Sequence, residues 1–184
     1  MDKSFSIEEV NAGWIRGNLS GEGGKIFFDA SYITNFLDDF MLALLTALGK
    51  WPADERKNIF RAEEEPAVLV WDISLKNDSF LFHVTTYKSA DDRNVLSDGS
   101  VRVEREKFLK DFIDEMSGIL KRFGLFGFRS EWVLHEFPLS LYLMLKDAAG
   151  NNSLTVAKRD GSDNCGREYE STDFEAELRL LKDI

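Results

Sequence analysis

Two histidines and a single cysteine are the side chains of this chain best suited to acid–base or nucleophilic chemistry. His135 lies near Glu131 and Glu136, and a carboxylate can orient a histidine that acts as a general base. No candidate nucleophile stands near it, because Cys165 occupies a hydrophilic stretch without an adjacent histidine. His83 alternates with core-type residues, as a hydrogen-bonded structural histidine in a strand does. The sequence contains no enzyme signature, and no catalytic residue is predicted.

Two loops have compositions that resemble ligand-binding loops. A glycine-rich loop that binds phosphate must open a helix, whose N-terminal amides hold the anion, whereas residues 21–25 lead into a strand-like segment. Residues 160–166 begin like a calcium loop, but Cys165 replaces the glycine at the sixth position and Ser171 replaces the bidentate glutamate. We therefore predict a hairpin turn and a polar loop, with no cofactor and no metal.

Two acidic clusters, Asp38-Asp39 and Glu63-Glu64-Glu65, are the remaining candidates for a binding site. The aspartates are expected on the outer side of a helix, and the glutamates at the end of a strand beside a turn. A solvated surface explains such clusters, and a docking site for a basic protein is the alternative. The hypothesis to test assigns partner binding to Asp38, Asp39, Glu63, Glu64 and Glu65.

The whole chain is acidic, with 33 Asp and Glu against 23 Lys and Arg and a formal net charge of -10. Such a field repels phosphate backbones and attracts basic proteins, so nucleic acid is not an expected partner. The single cysteine excludes an intramolecular disulfide and a thiolate zinc site. No segment has the pattern of a signal peptide or the ~20 apolar residues that cross a bilayer. We predict a soluble, cytoplasmic protein without membrane contact.

The elements that would position these residues are arranged around residues 32–48. From Ile33 onward, apolar side chains recur there at alternating three- and four-residue steps, which predicts an amphipathic helix with its apolar stripe on a core. Ser31 or Asp29 is expected to cap its first turn. Gly49 is expected to end the helix in a left-handed conformation.

Strand patterns flank this helix on both sides. Two strands are predicted before it, a three-stranded antiparallel meander after it, and one further strand beyond a loop over residues 89–100. The predicted strands cover residues 12–17, 25–29, 59–64, 68–75, 80–87 and 101–104.

Helical patterns dominate the second half of the chain. An amphipathic helix is predicted over residues 105–123 with Gly124 at its C-terminal end, followed by an aromatic linker over residues 125–137. A shorter helix is predicted over residues 139–148, and Thr172 with Glu175 forms the capping box of a final helix.

Several short motifs occur together in this order. Ala30-Ser31-Tyr32-Ile33-Thr34 opens the first helix, Glu64-Glu65-Pro66 precedes a strand that contains Trp71, and the second long helix leads to Trp132 and Phe137-Pro138. Over residues 14–146 the chain resembles a group of small, acidic, largely uncharacterised bacterial proteins with an S-Y-[LI]-T helix start and an E-E-P strand turn. The resemblance implies a bacterial origin and a shared α+β fold, and it carries over no catalytic residue. Asn35 stands where that group often has an acid.

We predict an α+β fold with a mainly antiparallel sheet, two long amphipathic helices packed on one of its faces, a short helix and a C-terminal helix. One domain is expected over residues 1–184, with residues 1–11 poorly ordered and residues 149–184 as a C-terminal extension. Three functions remain open. They are a non-catalytic binding module such as an immunity- or antitoxin-type inhibitor of a basic effector, a homo-oligomeric structural or regulatory subunit, and a small-molecule binder or enzyme with an aromatic pocket formed by Trp71, Phe82 and Trp132.

Overall fold

The computed structural model describes residues 3–51, 58–91, 94–133, 135–150, 157–162 and 168–182. Within these residues, two larger antiparallel sheets, a two-stranded hairpin and four helices form an α+β fold, as predicted. Residues 163–166 of the predicted polar loop, Cys165 among them, lie outside the described residues.

The first sheet is a three-stranded meander in which each strand pairs with the next along the chain. Its strands are β1 (Phe5–Asn11), β2 (Trp14–Gly21) and β3 (Gly24–Ser31). β1 lies within residues 1–11, for which the sequence pattern predicts poor order. Phe5 is fully buried, so this strand contributes to the core although most of its neighbours are polar.

The turn between β2 and β3, predicted over residues 21–24, also joins the two sheets. Glu22 and Arg102 exchange two main-chain hydrogen bonds, with N···O distances of 2.9 and 2.8 Å. Gly23 has a φ angle of +102°, and a Cβ atom there would lie 2.5 Å from the carbonyl oxygen of Ser100. Only glycine accommodates both this conformation and so close an approach to the neighbouring sheet.

The second sheet is a four-stranded antiparallel meander. Its strands are β4 (Ile59–Glu64), β5 (Ala67–Lys76), β6 (Ser79–Tyr87) and β7 (Val95–Glu104). The predicted three-stranded meander is confirmed, and its second turn has positive φ angles at Asn77 and Asp78, as tight hairpins require. β7 begins six residues earlier than predicted, so the predicted loop is wrong over residues 95–100. These residues are mostly exposed, and no hydrophobic alternation marks them as a strand.

The helices are α1 (Phe36–Ala47), α2 (Arg105–Glu131), α3 (Leu139–Ala149) and α4 (Phe174–Lys182). The prediction of two long helices is wrong for α1, which has 12 residues. Ser31 and Asp29 belong to β3, and Asn35 occupies the N-cap position without a side-chain capping bond. Gly49 has the predicted left-handed conformation, with a φ angle of +66°.

α2 extends beyond its predicted end at residue 123. Gly124 has φ and ψ angles of 63° and -177°, which interrupt the helix, and the chain then resumes helical geometry up to Glu131. The prediction of an aromatic linker is therefore wrong over residues 125–131. Phe128 and Trp132 are fully buried, and their four-residue spacing places both on one side of this second part.

Aromatic rings from both sheets and from α1 and α2 form the centre of the core. The ring of Phe40 in α1 lies 6.1 Å from that of Phe82 in β6 and 5.6 Å from that of Phe112 in α2, stacked on both. Trp71 meets Phe40 edge-on at 5.5 Å between centroids. Because one side chain of α1 contacts both the sheet and α2, the two helices lie on the same face of the β layer, as predicted.

Two carboxylates of α2 cover the free edge of the first sheet, a contact that we call the helix seam. Asp111 accepts a hydrogen bond from the main-chain N–H of Ser4 at 2.7 Å, and Glu115 accepts one from the N–H of Ile7 at 3.2 Å. Unpaired main-chain groups at a sheet edge invite association with other chains, and these bonds satisfy two of them.

The C-terminal part of the described chain contains a hairpin of β8 (Ala157–Ser162) and β9 (Glu168–Ser171), followed by α4. α4 begins after Asp173, whose carboxylate accepts the N–H of Glu175, so Asp173 and not Thr172 is the capping residue. The Thr172 hydroxyl instead bonds to the side chain of Glu177. α4 contacts α3, and Lys146 donates to the carbonyl oxygen of Leu180.

Candidate functional site

The two predicted acidic clusters lie on elements that contact each other. The hydroxyl oxygen of Thr34, two residues before α1, accepts the main-chain N–H of Glu63 at 3.1 Å. Asp38 and Asp39 occupy the first turn of α1, and α1 packs against β4. We call the surface formed by Asp38, Asp39, Glu63, Glu64 and Glu65 the acidic face.

The members of the acidic face differ in their exposure to solvent. Glu65, in the turn between β4 and β5, is exposed, whereas the other four carboxylates are half-buried. Asp38 and Asp39 are therefore less exposed to solvent than the predicted outward orientation implies. They also stand near the positive end of the dipole of α1, which stabilises negative charge there.

The side-chain carboxylate of Glu64 makes a structural contact with a neighbouring strand. Its Oε1 atom accepts the main-chain N–H of Asp29 at 2.6 Å, across the junction between β3 and β4. We call this contact, together with that of Thr34 and Glu63, the sheet seam. Burial raises the pKa of the Glu64 carboxyl above its ordinary value, and the nearby Asp29 carboxylate adds to this effect against the opposing main-chain hydrogen bond. No local sequence signal distinguishes Glu64 from its neighbours.

An ion-pair network crosses the first sheet beside Glu64. Arg16 on β2 lies between Glu9 on β1 and Asp29 on β3, with Nη1···Oε2 and Nη2···Oδ2 distances of 2.9 and 2.8 Å. One cation is therefore shared by two carboxylates, and Asp29 also stands beside Glu64. The Arg16 guanidinium therefore compensates part of the negative charge beside Glu64.

The segment between β3 and α1 is a turn whose apolar side chains face solvent. Tyr32 and Ile33 are 42% and 57% exposed, although the helical pattern predicts Ile33 in the core. The N–H of Tyr32 donates to the carbonyl oxygen of Gly13 at 2.8 Å, and Nε2 of His135 lies 2.6 Å from the carbonyl oxygen of Tyr32. We call residues 32–35 the anchored turn.

The two histidines have structural partners. On β6, Nε2 of His83 lies 2.9 Å from Oδ1 of Asp98, which also accepts the hydroxyl of Thr85 at 2.7 Å, so the predicted hydrogen-bonded strand histidine is confirmed. These two bonds lower the pKa of the Asp98 carboxyl, with the larger contribution from Thr85. His135 contacts a carbonyl oxygen instead of the predicted carboxylates.

The described residues contain a surface groove of about 610 Å3 between the N-terminal half of α2 and the C-terminal end of α3. Arg105, Lys110 and Asp114 are among the residues that line it, and neither histidine is. The predicted aromatic pocket is not formed, because Trp71, Phe82 and Trp132 are all fully buried in the core.

Neither a metal-binding cluster nor a membrane-spanning helix is found among the described residues. Among these described residues, no group of three or more His, Cys, Asp or Glu side chains is arranged to hold a metal ion. No helix there combines the length and apolar character needed to cross a membrane.

In comparisons with known proteins, no family model, no curated protein and no solved structure matches this chain. The resemblance to small acidic bacterial proteins therefore stays a prediction. The residues themselves define an α+β protein in which an acidic face adjoins an anchored apolar turn.

Proposed function

We propose that the protein is a non-catalytic binding module that docks a basic protein on its acidic face. The most specific form of this proposal is an immunity- or antitoxin-type inhibitor in a bacterial cytoplasm. Such an inhibitor covers the basic substrate-binding surface of an effector such as a nuclease. The observation that supports this proposal is the bond between Thr34 and Glu63, which joins the residue four positions before Asp38 to the main chain of the second acidic cluster.

The electrostatics of the whole chain favour such an interaction. A net charge of -10 attracts a basic partner over distances comparable to the Debye length of about 8 Å in physiological salt. Charge complementarity of this kind accelerates association more than it slows dissociation, and salt weakens it. A partner that binds phosphate groups with lysine and arginine side chains would be blocked when carboxylates of this chain pair with those lysines and arginines.

The proposal is tested first by affinity capture of the tagged protein from bacterial lysate at low and at high salt, followed by mass spectrometry. A basic protein recovered stoichiometrically at low salt and lost at high salt supports it. Recovery of the chain alone contradicts it.

A charge-matched pair of variants then locates the interface. The face variant carries Asp38→Asn, Asp39→Asn, Glu63→Gln and Glu65→Gln and keeps Glu64, which belongs to the sheet seam. The control variant neutralises four exposed acids elsewhere, namely Asp91, Glu106, Asp114 and Glu175. We expect the association rate constant for the captured protein to fall about tenfold in the face variant and much less in the control. Equal losses would mean that overall charge, and not this surface, attracts the partner.

A homo-oligomeric subunit is the second candidate, because β7 lies at the edge of its sheet and exposes Val95 and Leu96. Exposed apolar edge strands pair readily with other chains. A monomer in sedimentation runs at high protein concentration would contradict this alternative.

A further inference from the structure

The anchored turn exposes two large apolar side chains next to the acidic face. Tyr32 and Ile33 follow each other directly, and they adjoin β3, which carries Asp29, and α1, which carries Asp38 and Asp39. Single exposed apolar side chains are common on protein surfaces, and the centres of protein interfaces combine apolar and aromatic side chains with a surrounding polar rim.

The exposure of these side chains does not result from a loose loop. Main-chain atoms of Tyr32 bond to Gly13 on one side and to the ring of His135 on the other, and Thr34 bonds to β4. A Cβ atom placed on Gly13 would lie 2.9 Å from the ring of Tyr32, so this ring rests against the main chain. A surface that is rigid before binding loses little conformational entropy when a partner docks.

The charges around the turn limit the chemistry of the partner. Asp29 lies three residues before Tyr32, Asp38 lies five residues after Ile33, and Glu63 is attached through Thr34. An acidic partner would meet these carboxylates as like charges, although that of Asp29 is already paired with Arg16. A basic protein satisfies both the apolar and the charged groups.

We propose that Tyr32 and Ile33 are the apolar anchor of the docking surface, an inference that rests on the proposed function. They insert into an apolar pocket on the basic partner, and lysine and arginine side chains surround that pocket. The carboxylates then govern the approach of the partner, while the anchor prolongs the lifetime of the complex.

The structure offers a matched control in a different electrostatic setting. Phe126, in the second part of α2, is 92% exposed, more than either residue of the anchor. Lys121 and Arg122 stand near it in the chain, and residues 117–130 contain no acid, although Arg129 pairs with Glu136 at 2.5 Å. A basic partner is repelled there, so loss of Phe126 should leave its binding unchanged.

The test uses two synthetic peptides as defined probes, a lysine–arginine peptide with a central leucine and the same peptide with serine in its place. Binding is measured by fluorescence anisotropy against the full chain and against the Ile33→Ser and Phe126→Ser variants, after thermal melting shows that all three are folded. We expect the wild type to bind the leucine peptide about fivefold more tightly than the serine peptide. This preference should vanish in Ile33→Ser and persist in Phe126→Ser.

The outcomes separate the anchor from the proposed function. If both peptides bind equally and in a salt-dependent manner, the acidic face is supported and the anchor is overturned. If neither peptide binds at low salt, the anchor and the proposed basic partner both fail. If sedimentation instead shows that the wild type dimerises and that Ile33→Ser is monomeric, the turn contacts a second copy of the chain, and the inference is overturned.

Discussion

The helix seam and the sheet seam use the same hydrogen bond in opposite electrostatic surroundings. At each seam a carboxylate accepts a main-chain N–H from another part of the chain, Asp111 from Ser4, just before β1, at 2.7 Å, and Glu64 from Asp29 of β3 at 2.6 Å. The pKa of the Asp111 carboxyl is lowered, whereas the pKa of the Glu64 carboxyl is raised. The contact alone therefore does not determine the protonation behaviour of the carboxylate.

The difference arises from the second neighbour of each group. Burial by itself raises the pKa of Asp111, but hydrogen bonds from Lys107 and Ser4 outweigh it. Glu64 is more deeply buried and has the Asp29 carboxylate beside it, so burial and like charge outweigh its one hydrogen bond. At the helix seam the Lys107 ammonium stabilises the charged form of Asp111. At the sheet seam the Asp29 carboxylate destabilises the charged form of Glu64.

The two seams should respond to pH with opposite signs. Since folding lowers the pKa of Asp111, its contribution to stability is present above the unfolded pKa and is lost as the pH falls through the folded pKa. Since folding raises the pKa of Glu64, its protonated form favours the fold. Stability falls as the pH rises above the unfolded pKa, and the penalty is complete above the folded pKa.

The largest expected effect comes from the core that both seams enclose. Phe40 is fully buried and contacts rings from β5, β6 and α2. Phe40→Ala should lower the free energy of unfolding by about 3–5 kcal/mol, because it creates a cavity among these rings. The loss should be the same near pH 5 and near pH 8, because no ionisable group is removed. Urea unfolding at both values measures it.

Phe126→Ala serves as the control for this variant. The Phe126 side chain is 92% exposed, and its removal should change the unfolding free energy by less than about 0.5 kcal/mol. A Phe40→Ala protein with near-wild-type stability would contradict the arrangement of both sheets and α1 around this ring.

Removal of Asp111 should have the next largest effect. Its Oδ2 atom accepts the N–H and the hydroxyl of Ser4 and the ammonium of Lys107. Because Ser4 is buried, Asp111→Ala leaves the main-chain N–H of Ser4 without an acceptor. We expect the free energy of unfolding to fall by about 2–3 kcal/mol near pH 7. The difference from the wild type should shrink as the pH falls through the lowered pKa of the Asp111 carboxyl, because the wild-type carboxylate then loses its charge as well.

Asp114→Ala provides a control on the same helix. Asp114 is exposed, and its loss should change stability by less than about 0.5 kcal/mol at either pH. If Asp111→Ala and Asp114→Ala were equally stable, the helix seam would be a surface contact without structural weight.

The parts of the fold that the sequence predicts correctly are those held by local interactions. The meander of β4 to β6 follows from alternating residues such as Leu69, Trp71 and Ile73 and from turn residues between the strands. The end of α1 at Gly49 is likewise a local effect of backbone conformation. Here the local preferences and the tertiary structure agree.

The features that the sequence does not predict depend on contacts between distant residues. Residues 32–35 continue the helical pattern of α1, but hydrogen bonds from Tyr32 to Gly13 and from Glu63 to Thr34 hold them in a turn. The two acidic clusters are visible in the sequence, whereas their proximity depends on a bond across 29 residues. The seam contact of Glu64 spans 35 residues, and local patterns carry no information on it.

The smallest predicted effect is also the one that separates the two seams most directly. In Glu64→Gln the side-chain oxygen still accepts the N–H of Asp29, while the buried charge beside the Asp29 carboxylate is removed. We expect this variant to be more stable than the wild type near pH 8, by less than about 1 kcal/mol, and to match it near pH 4. Urea unfolding at both values measures the difference, with Glu63→Gln as the control, since the Glu63 side chain takes no part in the seam.

A Glu64→Gln protein that is less stable than the wild type near pH 8 would show that the hydrogen bond to the ionised carboxylate outweighs its burial. The sheet seam would then behave like the helix seam, and the contrast between them would disappear.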